Sequence, residues 1–457
     1  MQSPSKLSFA RIISVSALVL VATDARPLGL ANEPLFLAAP VKPNLMLVID
    51  DSGSMDSEVL MPANDGALWW HTGDQSFVGR DSDDQLSTGV INYNYVGTAD
   101  NTWKKYVYIF PIDTGLGRRI YGDSTNDHYA IPPRPEYAFA RSAEYNKAFY
   151  DPLKTYLPWP SSYGTTFVDA TPSSAQTDPV RGTATLNLTA NINRSDSNWT
   201  FRLQPGMRNA SGTVVTSAQD ATFNYYPATY HVTTNASIGY DATRNCSNPN
   251  AADYVALVDD PPTPPRRAHA IAPDGKCLVK YEVKAGRSFP RGRTYDEEMQ
   301  NFANWFTYHR KRHLGMRGGI LSAFSDLGGF RAGLFTLNNR VSPVPILDFD
   351  TQKTNFLNTL QNFVGSGGTP TREALKHAGD QYLRTDASAP ITEYCQKNFS
   401  IVFTDGFATP LPAGVPDVDN EDGSEGTPYE DTFSDTLGDI AMKFYRDDLR
   451  PDLFPTG

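Results

Sequence analysis

The sequence predicts an α/β protein: a doubly wound, mostly parallel sheet that carries a large, irregular β-rich insertion. Three observations predict it. Leu45 to Ile49 is an unbroken apolar run, the pattern of a central parallel strand covered on both faces, and it feeds directly into Asp50, Ser52 and Ser54. From residue 294 onward, stretches with helical periodicity alternate with short apolar runs, the order that builds a parallel sheet. Between these parts lie residues 56–293, an interval of 238 residues that is far longer than an ordinary loop.

Taken in order, the chain begins with Lys6 and Arg11 ahead of the apolar run Ile12 to Val21, followed by small residues at Ala22, Ala25 and Ala31. This is the pattern of a secretory signal peptide, expected to occupy residues 1–25, and its core of about ten residues is too short to span a bilayer. No later stretch is apolar enough for a membrane helix, so an exported chain with no transmembrane segment is expected. The length of 457 residues suggests two or three domains, and the net charge of -11 disfavours nucleic acid as a partner.

The interval 56–293 reads as an inserted domain. Its β-prone runs, Lys105 to Phe110 and Thr183 to Thr189, are broken by turn residues, and helical periodicity is confined to Glu136 to Phe149. The many large aromatics of Tyr137 to Pro160 read as anchors of a loop-rich region, in preference to a carbohydrate- or protein-binding surface. The Asn-x-Ser/Thr sequons at Asn187, Asn193, Asn198, Asn209 and Asn235 read as chance. Cys246 and Cys277 are close enough in sequence to close a loop, with Cys395 left over, although three unpaired thiols fit the sequence equally well.

Thr294 and Glu297 form a capping-box pattern that opens a long helix, with Met299, Phe302, Phe306, Ile320, Phe324 and Leu327 in phase up to Gly328 and Gly329. Gly315, Gly318 and Gly319 predict a bend in its middle, and Arg310 to His313 read as its solvated face. Next come a buried strand from Arg331 to Leu337 and a helix from Thr351 to Phe363. A further helix opens at Pro370 with Ala374, Leu375, Ala378 and Tyr382 on one face. The pattern ends with a buried strand, Asn398 to Thr404, and a helix, Ser434 to Tyr445.

The chemistry concentrates where strands end. In open α/β sheets ligands collect outside the carboxyl ends of the strands. Three stretches place oxygen-bearing side chains there: Asp50-x-Ser52-x-Ser54, Gly367-Gly368-Thr369, and Thr404-Asp405-Gly406. Mg²⁺ takes near-octahedral oxygen ligands and gives up water reluctantly, which suits short hydroxyls with carboxylates close by. The ordered set resembles the metal-ion-dependent adhesion site of von Willebrand factor A domains. That resemblance implies hydroxyls from Ser52, Ser54 and Thr369, with Asp50 and Asp405 acting directly or through water, around Mg²⁺ or else Mn²⁺ or Ca²⁺. It further implies an open position for an acidic side chain of a partner, which is recognition and not catalysis. Asp51 is expected to point away. The A-like domain would comprise residues 44–55 plus 294–457, incomplete at its C-terminal end, with 56–293 inserted.

From Asp405 to Met442 there are ten acidic residues and no Lys or Arg. The loop Asp417 to Gly423 departs from a calcium-binding EF-hand, because its glycine falls one place late and Pro428 stands where the last ligand belongs. A flexible acidic loop is the expectation there.

Longer phrases extend the resemblance: Asn301-Phe-Ala-Asn-Trp-Phe-Thr-Tyr-His-Arg310, the Tyr-Asn and Tyr-Asp-Pro segment at 145–160, Gly-Gly-Thr-Pro-Thr-Arg-Glu-Ala-Leu at 367–375, Cys395 to Gly406, and Ser434 to Met442. These are similar to the PilC/PilY type IV pilus tip-associated adhesins. The similarity implies an exported adhesin and assembly factor at the pilus tip or cell surface, reached through the periplasm. Its partners would be minor pilins or other tip components, and a host or surface ligand with an acidic group. Family members continue into a large β-propeller, whereas this chain stops at Gly457, so a fragment or a short paralogue is expected. Two other classes compete: an assembly factor whose metal is purely structural, and a metal-assisted hydrolase. The seven histidines show no His-Glu-x-x-His spacing and no Gly-x-Ser-x-Gly motif occurs, so no enzyme is expected.

Overall fold

The structure is a computed structural model. It describes residues 41–454 except 62–65, 67, 72–75, 79–103, 111–127, 131–134, 161–164, 182–183, 193–199, 204–212, 218, 223–225, 234–269, 273–275, 407–408, 410–411 and 420–430. The expected signal peptide, Cys246, four of the sequons and most of the loop Asp417 to Gly423 lie outside the described residues. Among those described, no helix is long and apolar enough to cross a membrane.

Four strands form the sheet that organises the compact unit Pro43–Gly457. They are β1 (Asn44–Ile49), β2 (Arg331–Thr336), β3 (Leu347–Asp348) and β4 (Asn398–Phe403), in the order β3-β2-β1-β4. β2 and β4 both run parallel to β1, and the two-residue β3 pairs antiparallel with β2. The register places Ile49 level with both Thr336 and Phe403, so the three parallel strands finish at one edge.

β1 shows why its sequence lacks polar alternation: Met46, Leu47, Val48 and Ile49 are all fully buried. Leu47 and Ile49 join the larger apolar cluster, while Met46 and Val48 join a second one with Phe335, Leu337, Ala374, Ala378 and Tyr382. Helices supply both clusters. Helices α1 (Tyr295–Tyr308), α2 (Arg312–Phe324) and α3 (Phe349–Gln361) contribute Phe302, Phe306, Leu314, Ile320, Phe324, Leu357 and Leu360 to the first. Helix α4 (Thr371–Tyr382) covers the other side, with α5 (Leu437–Arg446) beyond it, close enough that a Cβ on Gly379 would meet the Phe444 ring.

β4 departs from the expectation of a buried strand. It is the outer strand of the described sheet, with β1 as its one neighbour, and Phe399 and Ile401 are 52% and 40% exposed. The predicted long helix is likewise two helices, and the break falls at His309–Lys311, ahead of the glycines. Gly318 serves a different end: a Cβ there would overlap Trp159 Nε1.

Ion pairing explains the break. Arg310, Lys311, Arg312 and His313, expected on a solvated face, are all buried. Arg310 Nε donates to Glu58 Oε1 at 2.8 Å, and Lys311 Nζ donates to Asp56 Oδ1 at 2.6 Å. Asp56 and Glu58 directly follow the Asp-x-Ser-x-Ser stretch, so the cations turn inward where a continuous helix would aim some of them at water. Burial also pushes the His313 imidazole down to about 4, although its contact with Asp56 pulls the other way.

The described parts of residues 56–293 hold short strands. Thr229–Thr233, Cys277–Glu282 and Ala270–Ile271 form a three-stranded antiparallel sheet, and Lys104–Tyr108 centres another with Trp69–His71. Where helical periodicity was expected, Pro135–Arg141 is a short 3-10 helix. Cys277 is in a disulfide, and Cys395 is free and exposed. The aromatics of this interval are buried anchors: Tyr137, Phe139, Phe149, Tyr150 and Trp159 sit in the same apolar cluster as Leu47 and Ile49.

Helix α1 is what they grip. The Asn301, Asn304 and Trp305 of its distinctive phrase capture loop backbone, with Asn301 Oδ1 accepting from Tyr156 N at 2.7 Å and Asn304 Nδ2 donating to Tyr156 O at 3.0 Å. Trp305 Nε1 donates to Ala148 O at 3.1 Å. The expected capping box, Thr294 with Glu297, opens this helix.

Glu58 ties three groups together. Its Oε2 accepts from the backbone of Ile109 at 2.8 Å and of Phe110 at 3.0 Å, while Oε1 holds Arg310. Removing it in Glu58→Ala strands a buried guanidinium and is expected to cost about 3–5 kcal/mol of folding stability. Loss of the capping hydroxyl in Thr294→Ala is expected to cost about 1 kcal/mol. Urea unfolding of both variants checks the ranking, and equal losses would refute the central role of Glu58.

Candidate metal centre

The residues that follow β1, β2 and β4 meet at the common strand edge. Asp50 N donates to Phe403 O and Leu337 N to Ile49 O, both at 2.9 Å, so the ladder continues one residue past each strand and sets where the loops begin. Asp50 is buried, and its two oxygens are separately engaged: Oδ1 accepts from Ser52 N and Oδ2 from the Thr404 hydroxyl, each at 2.7 Å. The Ser52 and Ser54 hydroxyls lie 2.9 Å apart, and Ser54 Oγ donates to Asp405 Oδ1 at 3.0 Å. Four of the five sequence-predicted ligands, Asp50, Ser52, Ser54 and Asp405, therefore form one connected hydrogen-bonded chain.

Thr369 is tied to the same rim through its backbone, and its hydroxyl is not part of that chain. Its N–H donates to Thr409 Oγ1 at 2.8 Å, its carbonyl accepts from Thr409 N at 2.7 Å, and α4 starts two residues on. Pro370 stands just before the first helical residue, one place earlier than the sequence suggested. The glycine loop ahead of Thr369 lies against the serine turn: Gly53 N donates to Gly367 O at 3.1 Å and Ser366 N to Asp51 O at 2.5 Å.

Two glycines are required there. A Cβ on Gly365 would lie 2.5 Å from Ser52 O and 3.0 Å from Asp56 N, and Gly367 has φ +109 with the Asn338 amide 2.9 Å from where a Cβ would stand. Asp51 points away from the hydroxyl pair, as expected: its Oδ1 accepts from the backbone N–H of Asn338 at 3.0 Å and from its side chain at 2.7 Å. Asn338 Nδ2 also donates to Gly368 O at 2.8 Å, so this side chain staples the first and second loops together.

Electrostatically, the site gathers like charges. Burial raises the Asp50 carboxyl above its ordinary range; hydrogen bonds from Ser52 and Thr404 oppose this, and the neighbouring charge of Asp405 reinforces it. A cation would relieve both the burial of charge and the repulsion. The spacing fits a small one, because neighbouring oxygens in an octahedral Mg²⁺ shell of radius 2.0–2.1 Å stand about 3 Å apart. The 2.9 Å and 3.0 Å separations along Ser52, Ser54 and Asp405 match that edge.

Over a third of its length the chain is similar to PilY1. It is 32% identical over 186 residues to the type IV pilus biogenesis factor PilY1 of Pseudomonas aeruginosa strain PAK, a match that covers 34% of this chain and 16% of that protein. The PilY1 of strain PAO1 is 30% identical over 190 residues with the same coverage, and that of strain UCBPP-PA14 is 32% identical over 176 residues, 15% of its length. The matched stretch is thus about a sixth of PilY1. No family model and no solved structure matches the chain.

Sequence reasoning missed three contributors. Thr404 was within the Thr-Asp-Gly signal, and its place beside Asp405 at a strand end was the available clue. Asn338, two residues past β2, carried no motif. Arg312 was read as solvent-facing, yet its Nη1 lies 2.5 Å from Asp405 Oδ2. Away from this rim, Asp417, Asp419 and Asp439 bring carboxylate oxygens within 4.8 Å of one another. Asp439 is already engaged, with Oδ1 accepting from Val418 N and Oδ2 from Thr436 in the capping box that opens α5.

The glycine packing is testable. Gly365→Ala is expected to destabilise by about 1–3 kcal/mol through overpacking against the serine turn. Gly319→Ala, in mid-helix with open space around it, is expected to be neutral or to stabilise by up to about 1 kcal/mol. Urea midpoints of the two variants measure the difference, and a Gly365→Ala midpoint equal to wild type would show that the loop does not need the close approach.

Proposed function

We propose that this protein is a type IV pilus-associated binding protein that holds a divalent cation at the rim of its parallel sheet and meets an acidic group of a partner there. The carrying observation is the hydrogen-bonded set at the strand edge, in which Asp50 accepts from the backbone N–H of Ser52 and the side-chain oxygens of Ser52, Ser54 and Asp405 follow one another at 2.9 Å and 3.0 Å. Asp50, Ser52, Ser54, Thr369 and Asp405 are the proposed ligands, directly or through water, and Mg²⁺ or Mn²⁺ suits their oxygen-only donors and spacing. Bound there, the ion would supply a positive charge for a partner's carboxylate. The similarity to PilY1 supports the pilus setting, with minor pilins or other tip components as partners and the pilus tip or cell surface as location.

No enzymatic role is proposed. A von Willebrand factor A-like fold for the sheet, with residues 56–293 as its insertion, remains part of this proposal.

Two measurements test it. Isothermal titration of the purified chain with Mn²⁺ is expected to show one site, and a Ser52→Ala, Ser54→Ala double variant should lose at least about tenfold in affinity. Unchanged affinity in the double variant sinks the assignment. In cells, Asp50→Ala is expected to abolish attachment by pili that still assemble. Loss of the pili themselves would instead favour an assembly role with a structural ion.

A further inference from the structure

Arg312 is built into the metal rim from the far side. Its backbone N–H donates to Ser57 O at 3.1 Å, its Nε donates to Val59 O at 2.8 Å, and its Nη1 meets Asp405 Oδ2 at 2.5 Å. The two side chains of this pair are 4% and 7% exposed. The guanidinium is therefore held by the chain segment that follows the serine turn, and it is not a surface group that happens to reach a carboxylate. Gly66 closes in behind it, since a Cβ there would lie 3.0 Å from Nη2. Asp405 is divided between two partners: Oδ2 serves Arg312 and Oδ1 accepts from Ser54. Asp50 makes a different set of bonds, to neutral donors, Ser52 N and the Thr404 hydroxyl.

Chemically, the two carboxylates at the rim are then unequal. A carboxylate bound to a buried guanidinium has much of its charge already matched, and it cannot swing both oxygens toward an ion without giving up a strong charge-assisted hydrogen bond. A fixed positive charge one carboxylate away also repels a cation placed among the hydroxyls.

We propose that Arg312 is a positioning and specificity-setting residue of the metal site. It holds Asp405 back from direct ligation and keeps the bound ion under-neutralised, so that the ion binds the protein weakly and an incoming carboxylate strongly. This rests on the metal reading above and adds to it the residue that sets the balance. The role is opposite to simple support: a supporting residue improves metal binding, whereas this one opposes it.

The test is Mn²⁺ titration of the full chain, with acetate as the carboxylate probe, read by calorimetry and by water-proton relaxation. Arg312→Gln is expected to bind Mn²⁺ about tenfold more tightly than wild type. Acetate should displace water from its bound Mn²⁺ only at severalfold higher concentration, while Arg312→Lys stays close to wild type. Asp405→Asn alone is expected to lose less than about tenfold in Mn²⁺ affinity, and far more when placed in the Arg312→Gln background.

Equal or weaker Mn²⁺ binding by a folded Arg312→Gln chain overturns the proposal. If that variant does not fold, Asp405→Asn decides: abolished binding marks Asp405 as a direct ligand and overturns it, and a small loss supports it. A wild-type chain that binds no Mn²⁺ overturns the metal reading itself and this inference with it, a result distinct from unaltered affinity on removing Arg312.

Discussion

The buried ion pairs between the segment after the serine turn and the α1–α2 junction are the constraint on which the rest of this structure depends. Asp56 and Glu58 face Lys311 and Arg310 with side chains no more than 4% exposed. Taking such charges out of water costs several kcal/mol per ion, which their attraction recovers only when geometry is good and the remaining oxygens are bonded. Glu58 meets that condition, because both of its oxygens are engaged and its backbone carbonyl accepts from Asn146 Nδ2. What the lattice gains is definition more than stability. It fixes where β1's loop ends and where the helix breaks.

The same lattice ties the 238-residue interval 56–293 to the sheet directly after the serine turn. Ile109, Phe110 and Asn146 bond to Glu58 and Leu60, so the interval is clamped back onto the segment that leaves the serine turn. Its aromatics then pack along α1, where Phe149, Tyr150 and Phe302 all meet the Trp305 ring within 6 Å. The apolar cluster is continuous from Leu47 to Tyr230, so residues of 56–293 share the core of the sheet.

What the sequence disclosed and what it hid follow from range. β1, the glycine loop and the Thr-Asp-Gly turn were legible because each is a local pattern whose meaning does not depend on distant residues. The capping boxes were half legible: Thr294 with Glu297 stood out, while Thr436 with Asp439 was blurred by an expected start at Ser434. Arg310 to His313 were misread because the partners of the three cations lie 93 to 255 positions away, and a run of cations near helix periodicity resembles a wet face. The helix break followed the same cause, since glycine propensity pointed to 315–319 and ion pairing decided for 309–311. β4 looks buried by composition, but strand order decides exposure, and composition carries no order.

The proposed site also faces an electrostatic contradiction that its geometry resolves. The chain is acidic overall, and from Asp405 to Met442 it carries ten acids without a Lys or Arg, so a partner presenting a carboxylate is repelled on approach. That repulsion fades within a Debye length of about 8 Å at physiological ionic strength, whereas contact with an ion acts at bonding distance. Net charge of this sign works against acidic partners, and a cation held at the proposed site would offset it at one point. An ion fully neutralised by its own ligands would lack the charge to do so. A rim in which one of two carboxylates is already matched by Arg312, and the rest of the donors are neutral hydroxyls, leaves the ion most of its charge.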